Sequence, residues 1–225
     1  TFNNNLIVGG AFYQAGSAVA RGLASWNGAD WSGLHGVFIP ATGDGVRTIT
    51  PWAGSVVHGG YHFTTDTNEP QAARALTAWD GRSLRSLGNP TNVILASASI
   101  PVAPGVEDLV IGGKSGVIDG MNFNSIARRS SLPGSTWENM GDGFNGDVHA
   151  ITYFNGQVYA AGDFTHSGAT PLDHIARWDG SSWQPAAPGV AAGLNGPAYC
   201  MKPFQSGPTT RSLIVGGDFT SVASV

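Results

Sequence analysis

Six histidines, His35, His58, His62, His149, His166 and His174, are the residues of this chain best suited to metal or acid–base chemistry. His58 and His62 stand four apart, which in a strand puts both on one face but roughly 13 Å from each other. That span is too long for sharing a metal ion. A second candidate is Gly141-Asp142-Gly143-Phe144-Asn145-Gly146-Asp147, where Asp142, Asn145 and Asp147 offer the several oxygens in a flexible loop that calcium wants. Their spacing departs from the D-x-[DN]-x-[DN]-G loop, and a turn built of residues that accept positive φ explains the stretch as well. Asp44, Asp66, Glu69, Glu107, Asp119 and Asp147 are the carboxylates that could meet as a glycosidase pair. They fall mostly in loops, which suits solvated turn residues better. No G-x-S-x-G occurs, and no Ser/His/Asp set can be assembled from sequence position. The expectation is no catalytic, cofactor-binding or metal residue, and no cofactor.

Cys200 is the only cysteine, so no internal disulfide can form. It aligns with Ala150 when 196–204 is set on 146–154 without a gap, and a small buried site would suit an unreactive thiol. Charged residues are 12% of the chain, about half of the ~25% usual for soluble proteins. Its 33 glycines are about twice the usual ~7%, a composition of turns and buried strands. The net charge is −4 with no basic cluster, which argues against nucleic acid and anionic membrane as partners. No apolar run approaches the ~18 residues of a membrane helix. Lysine occurs only at Lys114 and Lys202, which fits an extracellular or cell-surface location.

These side chains are placed by a repeat. VYAAGDF at 158–164 recurs as LIVGGAF at 6–12, VVHGGYH at 56–62, LVIGGKS at 109–115 and LIVGGDF at 213–219. The second glycine of each copy, at Gly10, Gly60, Gly113, Gly162 and Gly217, steps by 50, 53, 49 and 55 residues, a period of propellers, solenoids or arrays. The most regular repeat reads as four strands: DVHAITYF at 147–154, VYAAGDF at 158–164, HIARWDG at 174–180 and SSWQPAA at 181–187. Asn155-Gly156 and Asp179-Gly180 supply the hairpin turns between them. Asn27-Gly28, Asp80-Gly81 and Pro133-Gly134 stand in place of the second turn in other repeats. Strand, turn, strand, loop, strand, turn, strand is an up-and-down four-stranded sheet. Near-continuous apolar runs such as Leu6-Ile7-Val8 require both faces of each sheet to be covered, and the glycine pair lets neighbouring sheets approach. Within this frame His58 replaces an apolar residue of the other copies (Val8, Ile111, Ala160, Val215), so a buried histidine satisfied by local hydrogen bonds is expected. The alternative is a ligand contact near a central channel. Trp26, Trp79 and Trp178 recur in segment three and Trp31, Trp137 and Trp183 in segment four, which favours packing over sugar stacking.

The glycine pair of segment two, Trp178-Asp179-Gly180 and the following Trp183 resemble kelch-type propeller repeats. They are also similar to IARWDG-type arrays of large secreted bacterial proteins, including those of planctomycetes. The third repeat departs from the pattern, with Arg129 in place of a tryptophan and a longer turn. The resemblance implies an all-β fold, a β-propeller of four-stranded antiparallel blades with four to five blades represented. The domain expectation is a single propeller domain over 1–225, or a fragment of one, with repeats at approximately 1–44, 45–91, 92–145, 146–195 and 196–225. A copper-radical oxidase would resemble this architecture too, but it needs a cross-linked Tyr–Cys pair, and Tyr199 beside Cys200 points to the opposite face.

Both ends fall inside a repeat. Thr1-Phe2 aligns with Tyr153-Phe154, and GDFTSVASV at 217–225 stops in the loop that precedes segment three elsewhere. A longer chain, a four-bladed ring in which 196–204 completes the first repeat, and an open arc completed by a second chain all fit. The functional expectation is a non-catalytic secreted or surface module that binds a protein or scaffolds an assembly. Its contacts would lie on the variable loops 64–73, 115–123, 165–173 and 205–211. Three alternatives stand beside it: a glycan-binding propeller lectin, a structural subunit joined by strand exchange at incomplete edges into a homo-oligomer or polymer, and a fragment of a propeller enzyme.

Overall fold

The computed structural model describes residues 1–34, 37–38, 45–60, 63–64, 76–186, 193–207 and 210–222. His35, His62, Asp44, Asp66, Glu69 and loop residues 65–73 lie outside them. All elements among the described residues are β-strands, and none is a helix long and apolar enough to cross a membrane. The chain divides into two compact units, Thr1–Ile94 with Val117–Gly120, and Leu95–Gly116 with Met121–Val225.

In the second unit, Val148–Phe154, Gln157–Gly162, Ile175–Trp178 and Trp183–Pro185 form one antiparallel sheet whose neighbours follow chain order. The up-and-down reading holds. Asn155 at φ 48° and Gly156 at φ 81° make the two-residue turn that closes Phe154 on Gln157. Asp179-Gly180 is not such a turn. Its hairpin closes at Trp178 and Trp183, leaving the four residues 179–182 between them. The reason is the aspartate itself. Its Oδ1 accepts from the N–H groups of Ser181 and Ser182 at 2.9 and 2.8 Å, so the side chain caps a wider loop. Asp80 and Asn27 cap their hairpins in the same way.

The same sheet recurs. In the first unit Val46–Trp52, Ser55–Gly60, Leu76–Trp79 and Leu84–Ser86 pair in this order, beside a three-stranded sheet of Leu6–Gly9, Leu23–Trp26 and Trp31–Gly33. Phe2 bridges Asn5 around Asn3 and Asn4, both at positive φ, repeating the turn at 155–156 where the alignment of Thr1-Phe2 puts it. Ile94–Ala103, Val106–Gly113, Ile126–Ser130 and Glu138–Asn139 form a further four-stranded sheet, and Ala198–Gln205 pairs with Arg211–Gly217. The segment at 196–204, weighed above as the missing strand of the first repeat, is thus paired within its own repeat, Met201 opposite Val215. The connections at 115–123 and 165–173 are small hairpins rather than plain loops, Gly116–Ile118 with Met121–Phe123 and His166–Ser167 with Thr170–Pro171. Asp119 at φ 49° and Gly168 at φ 53° provide their tips.

Neighbouring sheets within a unit share cores. Val110, Ile126, Met140 and Phe144 of one repeat pack with Val148, Val158, Phe164, Leu172 and Trp183 of the next. The glycine pair divides its task. The first glycine faces the neighbouring sheet: a Cβ at Gly112 would stand 2.5 Å from Val148 Cγ1, and one at Gly9 would stand 2.5 Å from Val46 Cγ1. The second lies on the backbone of its own sheet, Gly162 against the Asp147 carbonyl and Gly217 against that of Pro197. There the register shifts between Val148 and Ala150, and between Ala198 and Cys200. The bulge of one strand needs a neighbour without a side chain.

Candidate functional site

The strand register assembles a cleft in the second unit. Asp108, Val110 and Gly112 stand opposite Ser130, Arg128 and Ile126, so alternation puts all six on one face. That face meets the next sheet, because Val110 and Ile126 share a core with Val148, Val158 and Trp183. Tyr153 opposite Val158 and Trp178 opposite Trp183 belong to the facing surface. At Gly112 the sheets touch. Four residues along, roughly 13 Å away, they leave a cavity of about 280 Å³ floored by Val110, Met140 and Val158. Its walls include Ile100, Asp108, Arg128, Tyr153, Gln157 and Trp178.

The polar groups of this cleft are coupled. Arg128 Nη1 lies 3.8 Å from Asp108 Oδ2, and Arg128 Nη2 donates to Glu138 Oε2 at 3.3 Å. The Asp108 side chain is only 13% exposed. Burial pushes its carboxyl above the usual carboxylate range, against the pull of Arg128 and with a further push from Glu138. Asp179 also lines the cleft, but the Ser182 and Ser181 backbone N–H groups and their hydroxyls hold its carboxyl down to about 2. Its oxygens are committed to the turn.

These two shifts have opposite consequences for stability. For Asp108 the unfolded chain ionises first as pH rises above 3.8, so stability falls until the raised folded pKa is passed. For Asp179 the contribution is present above 3.8 and is lost as pH falls toward about 2. Asp108→Asn is therefore expected to gain unfolding free energy relative to the wild type between pH 3 and pH 7, and Asp179→Asn to lose it, in urea titrations at the two pH values. The same sign for both variants would contradict this assignment.

The other candidates resolve into structural roles. His58 is fully buried, and the Thr77 hydroxyl opposite it lies 2.9 Å from Nε2, as the local-satisfaction reading expects. Asn145 Oδ1 accepts from the Thr165 and His166 N–H groups, both at 2.9 Å, and its Nδ2 donates to Thr165 Oγ1 at 3.0 Å. Asn195 makes the same three bonds to Thr220 and Ser221. This is a clamp of the repeat, and it takes the oxygen a calcium ion would need; Asp147 meanwhile lies 3.7 Å from Lys114 Nζ. Asn145→Ala should lower unfolding free energy by about 1–3 kcal/mol, with no calcium-dependent change in Tm for the wild type. A rise of several degrees in Tm with millimolar calcium would restore the metal reading.

Among the described residues no group of three or more His, Cys, Asp or Glu is placed to hold a metal. Asp119 accepts from the Asn89 N–H at 3.1 Å, and the Glu107 backbone is bonded to Ser131, its carbonyl accepting from the Ser131 N–H at 2.8 Å and its N–H donating to Ser131 Oγ at 3.0 Å. His149 Nε2 lies 3.0 Å from Asp163 Oδ2, and Tyr199 donates to Asp218 at 3.1 Å, again the same place in successive repeats. Cys200 is a correction: it is exposed, not buried. It sits opposite Gly216 just as Ala150 sits opposite Ala161, but among the described residues nothing covers its face of the sheet. Lys202, Phe204 and Ile214 on that face are exposed too.

Of the tryptophans, Trp26 with Trp31 and Trp178 with Trp183 pair at 5.2 Å between ring centroids. Trp178 both packs and lines the cleft. Sequence reasoning missed Asp108, Arg128 and Tyr153 as a group. One signal was present: Asp108 precedes segment two where the other copies carry Asn5, Ser55, Gln157 and Ser212, an acid only here. No family model and no curated protein matches the chain.

Proposed function

We propose that the chain is a β-propeller of kelch-like repeats, or a section of one, working as a non-catalytic binding module in a secreted or surface-exposed protein. The observation that supports this most is the cleft of the second unit, lined by residues between Ile100 and Gly180. Its walls are strands of two sheets that share a core, so its side chains are held before any ligand arrives. A preorganised site loses little entropy on binding. Arg128 is ion-paired with Asp108 at 3.8 Å and donates to Glu138 at 3.3 Å, so the cleft offers a charged acceptor and a charged donor to a ligand. The ligand is a protein or a glycan.

The reading is tested by displaying the chain to arrays of extracellular proteins and of glycans, with each retained ligand recovered and its mass measured. Saturable retention of an unchanged ligand, lost in the Asp108→Asn/Tyr153→Ala double variant while its cooperative unfolding transition is kept, is the expected result. Recovery of a chemically altered ligand would make the protein an enzyme and overturn the reading.

A further inference from the structure

The geometry of the cleft points to a ligand class, on the premise that the chain is a binding module. We propose that it seats one pyranose residue of a neutral glycan, with the C–H face of the sugar on Trp178 and its hydroxyls on Asp108 and Arg128.

Four features of the cleft converge on this class. The first is its mixed lining: Trp178, Tyr153, Ile100 and Val102 are apolar or aromatic, while Asp108, Arg128 and Gln157 bring acceptors and donors. A pyranose has the same division, C–H groups on its faces and hydroxyls around its edge. The second is charge. Asp108 and Asp179 line the cleft together with Arg128, whose guanidinium lies 3.8 Å from Asp108, so an anionic ligand would meet two carboxylates and a cationic one would have to displace the guanidinium. A neutral polyol asks for neither. It can donate to the Asp108 carboxylate and accept from Arg128, and hydrogen bonds to charged partners are the strong ones.

The third feature is rigidity. Trp178 is tilted 55° against Trp183, which is itself buried and donates to the Met140 carbonyl at 2.9 Å. The platform is fixed before a ligand arrives, which is how aromatic residues give contact at low entropic cost. The fourth is size. A cavity of about 280 Å³ lies at the lower edge of small-ligand pockets, enough for one ring with its neighbours in the glycan left outside. Gln157 also lines the cleft beside the 155–156 turn, within the same wall as Tyr153.

The test is titration of the intact protein with glucose, galactose, mannose and N-acetylglucosamine, and with the matching uronic acids, followed by tryptophan fluorescence and isothermal calorimetry. Saturable binding of at least one neutral sugar is expected, with a dissociation constant on the order of 1 mM. Asp108→Asn should weaken it about tenfold to a hundredfold, the loss of one or two charge-assisted hydrogen bonds, at unchanged or raised Tm. Trp178→Phe should abolish the fluorescence change and weaken binding about tenfold. If no neutral sugar binds, or if Asp108→Asn leaves binding intact, the proposal is wrong. If an array protein is retained instead and Asp108→Asn releases it, the proposal fails while the binding-module reading stands. If neither sugars nor array ligands are held, both fail.

Discussion

Trp183→Ala is expected to cost about 3–5 kcal/mol of unfolding free energy, the largest loss from any single truncation proposed for this chain. The ring is 1% exposed and packs against Phe144 at 4.7 Å and Trp178 at 5.2 Å. Phe144 in turn stacks on Phe164 at 3.9 Å. Residues of two repeats therefore meet on this one indole, and its removal leaves a cavity that neither strand can close without sliding past its neighbour. Trp183→Phe separates the terms. It keeps most of the volume and loses the bond from Nε1 to the Met140 carbonyl, which also accepts from the Gly143 N–H at 3.2 Å. The cost should fall to about 1 kcal/mol for one hydrogen bond whose acceptor stays satisfied. Trp31 occupies the same place in the first sheet but is only half-buried, so Trp31→Ala should cost clearly less. Urea denaturation of the three variants measures all of this; equal losses for Trp31→Ala and Trp183→Ala would contradict the packing account.

The four-stranded sheets were legible because their punctuation is local. A pair of residues that tolerate positive φ fixes a hairpin wherever it falls between apolar runs, as at Asn155-Gly156. The same chemistry misleads at Asp179-Gly180, since an aspartate that caps two N–H groups builds a four-residue loop from the dipeptide that marks a two-residue one. The cleft was not legible, because Asp108 and Trp178 are far apart in the chain and meet only through the stacking of two sheets. Alignment gave Cys200 its correct place in the repeat, that of Ala150, and still gave it the wrong burial. Burial there depends on whether another sheet covers the face, which the strand's own residues do not encode. The polar row of His149, Asp163, Tyr199 and Asp218 shows the intermediate case: the positions repeat, but the partners are visible only once the bulges set the register.

Gly112→Ala should destabilise by about 2–3 kcal/mol through overpacking alone. The backbone at Gly112 is that of an ordinary strand, but the new methyl would lie 2.5 Å from Val148 Cγ1 and 2.8 Å from Ile151 Cδ1. Val148 is fully buried, and a β-branched side chain has no free rotamer to retreat into. The next interface of the same unit shows how the repeat accommodates a larger residue. There Ala161 stands where Gly112 does, and the residue across from it in the core, in the place of Val148, is Ala198. Volume gained on one sheet has been given up on the other. Transplanting that solution as Gly112→Ala/Val148→Ala should therefore be far milder than its parts. Val148→Ala alone should cost about 2 kcal/mol as a cavity, yet the double variant should fall short of the sum by at least about 1 kcal/mol, the coupling of side chains in direct contact. Additive losses in the cycle, within about 0.5 kcal/mol, would mean that the two sheets relax independently and that the glycine is not what sets their separation.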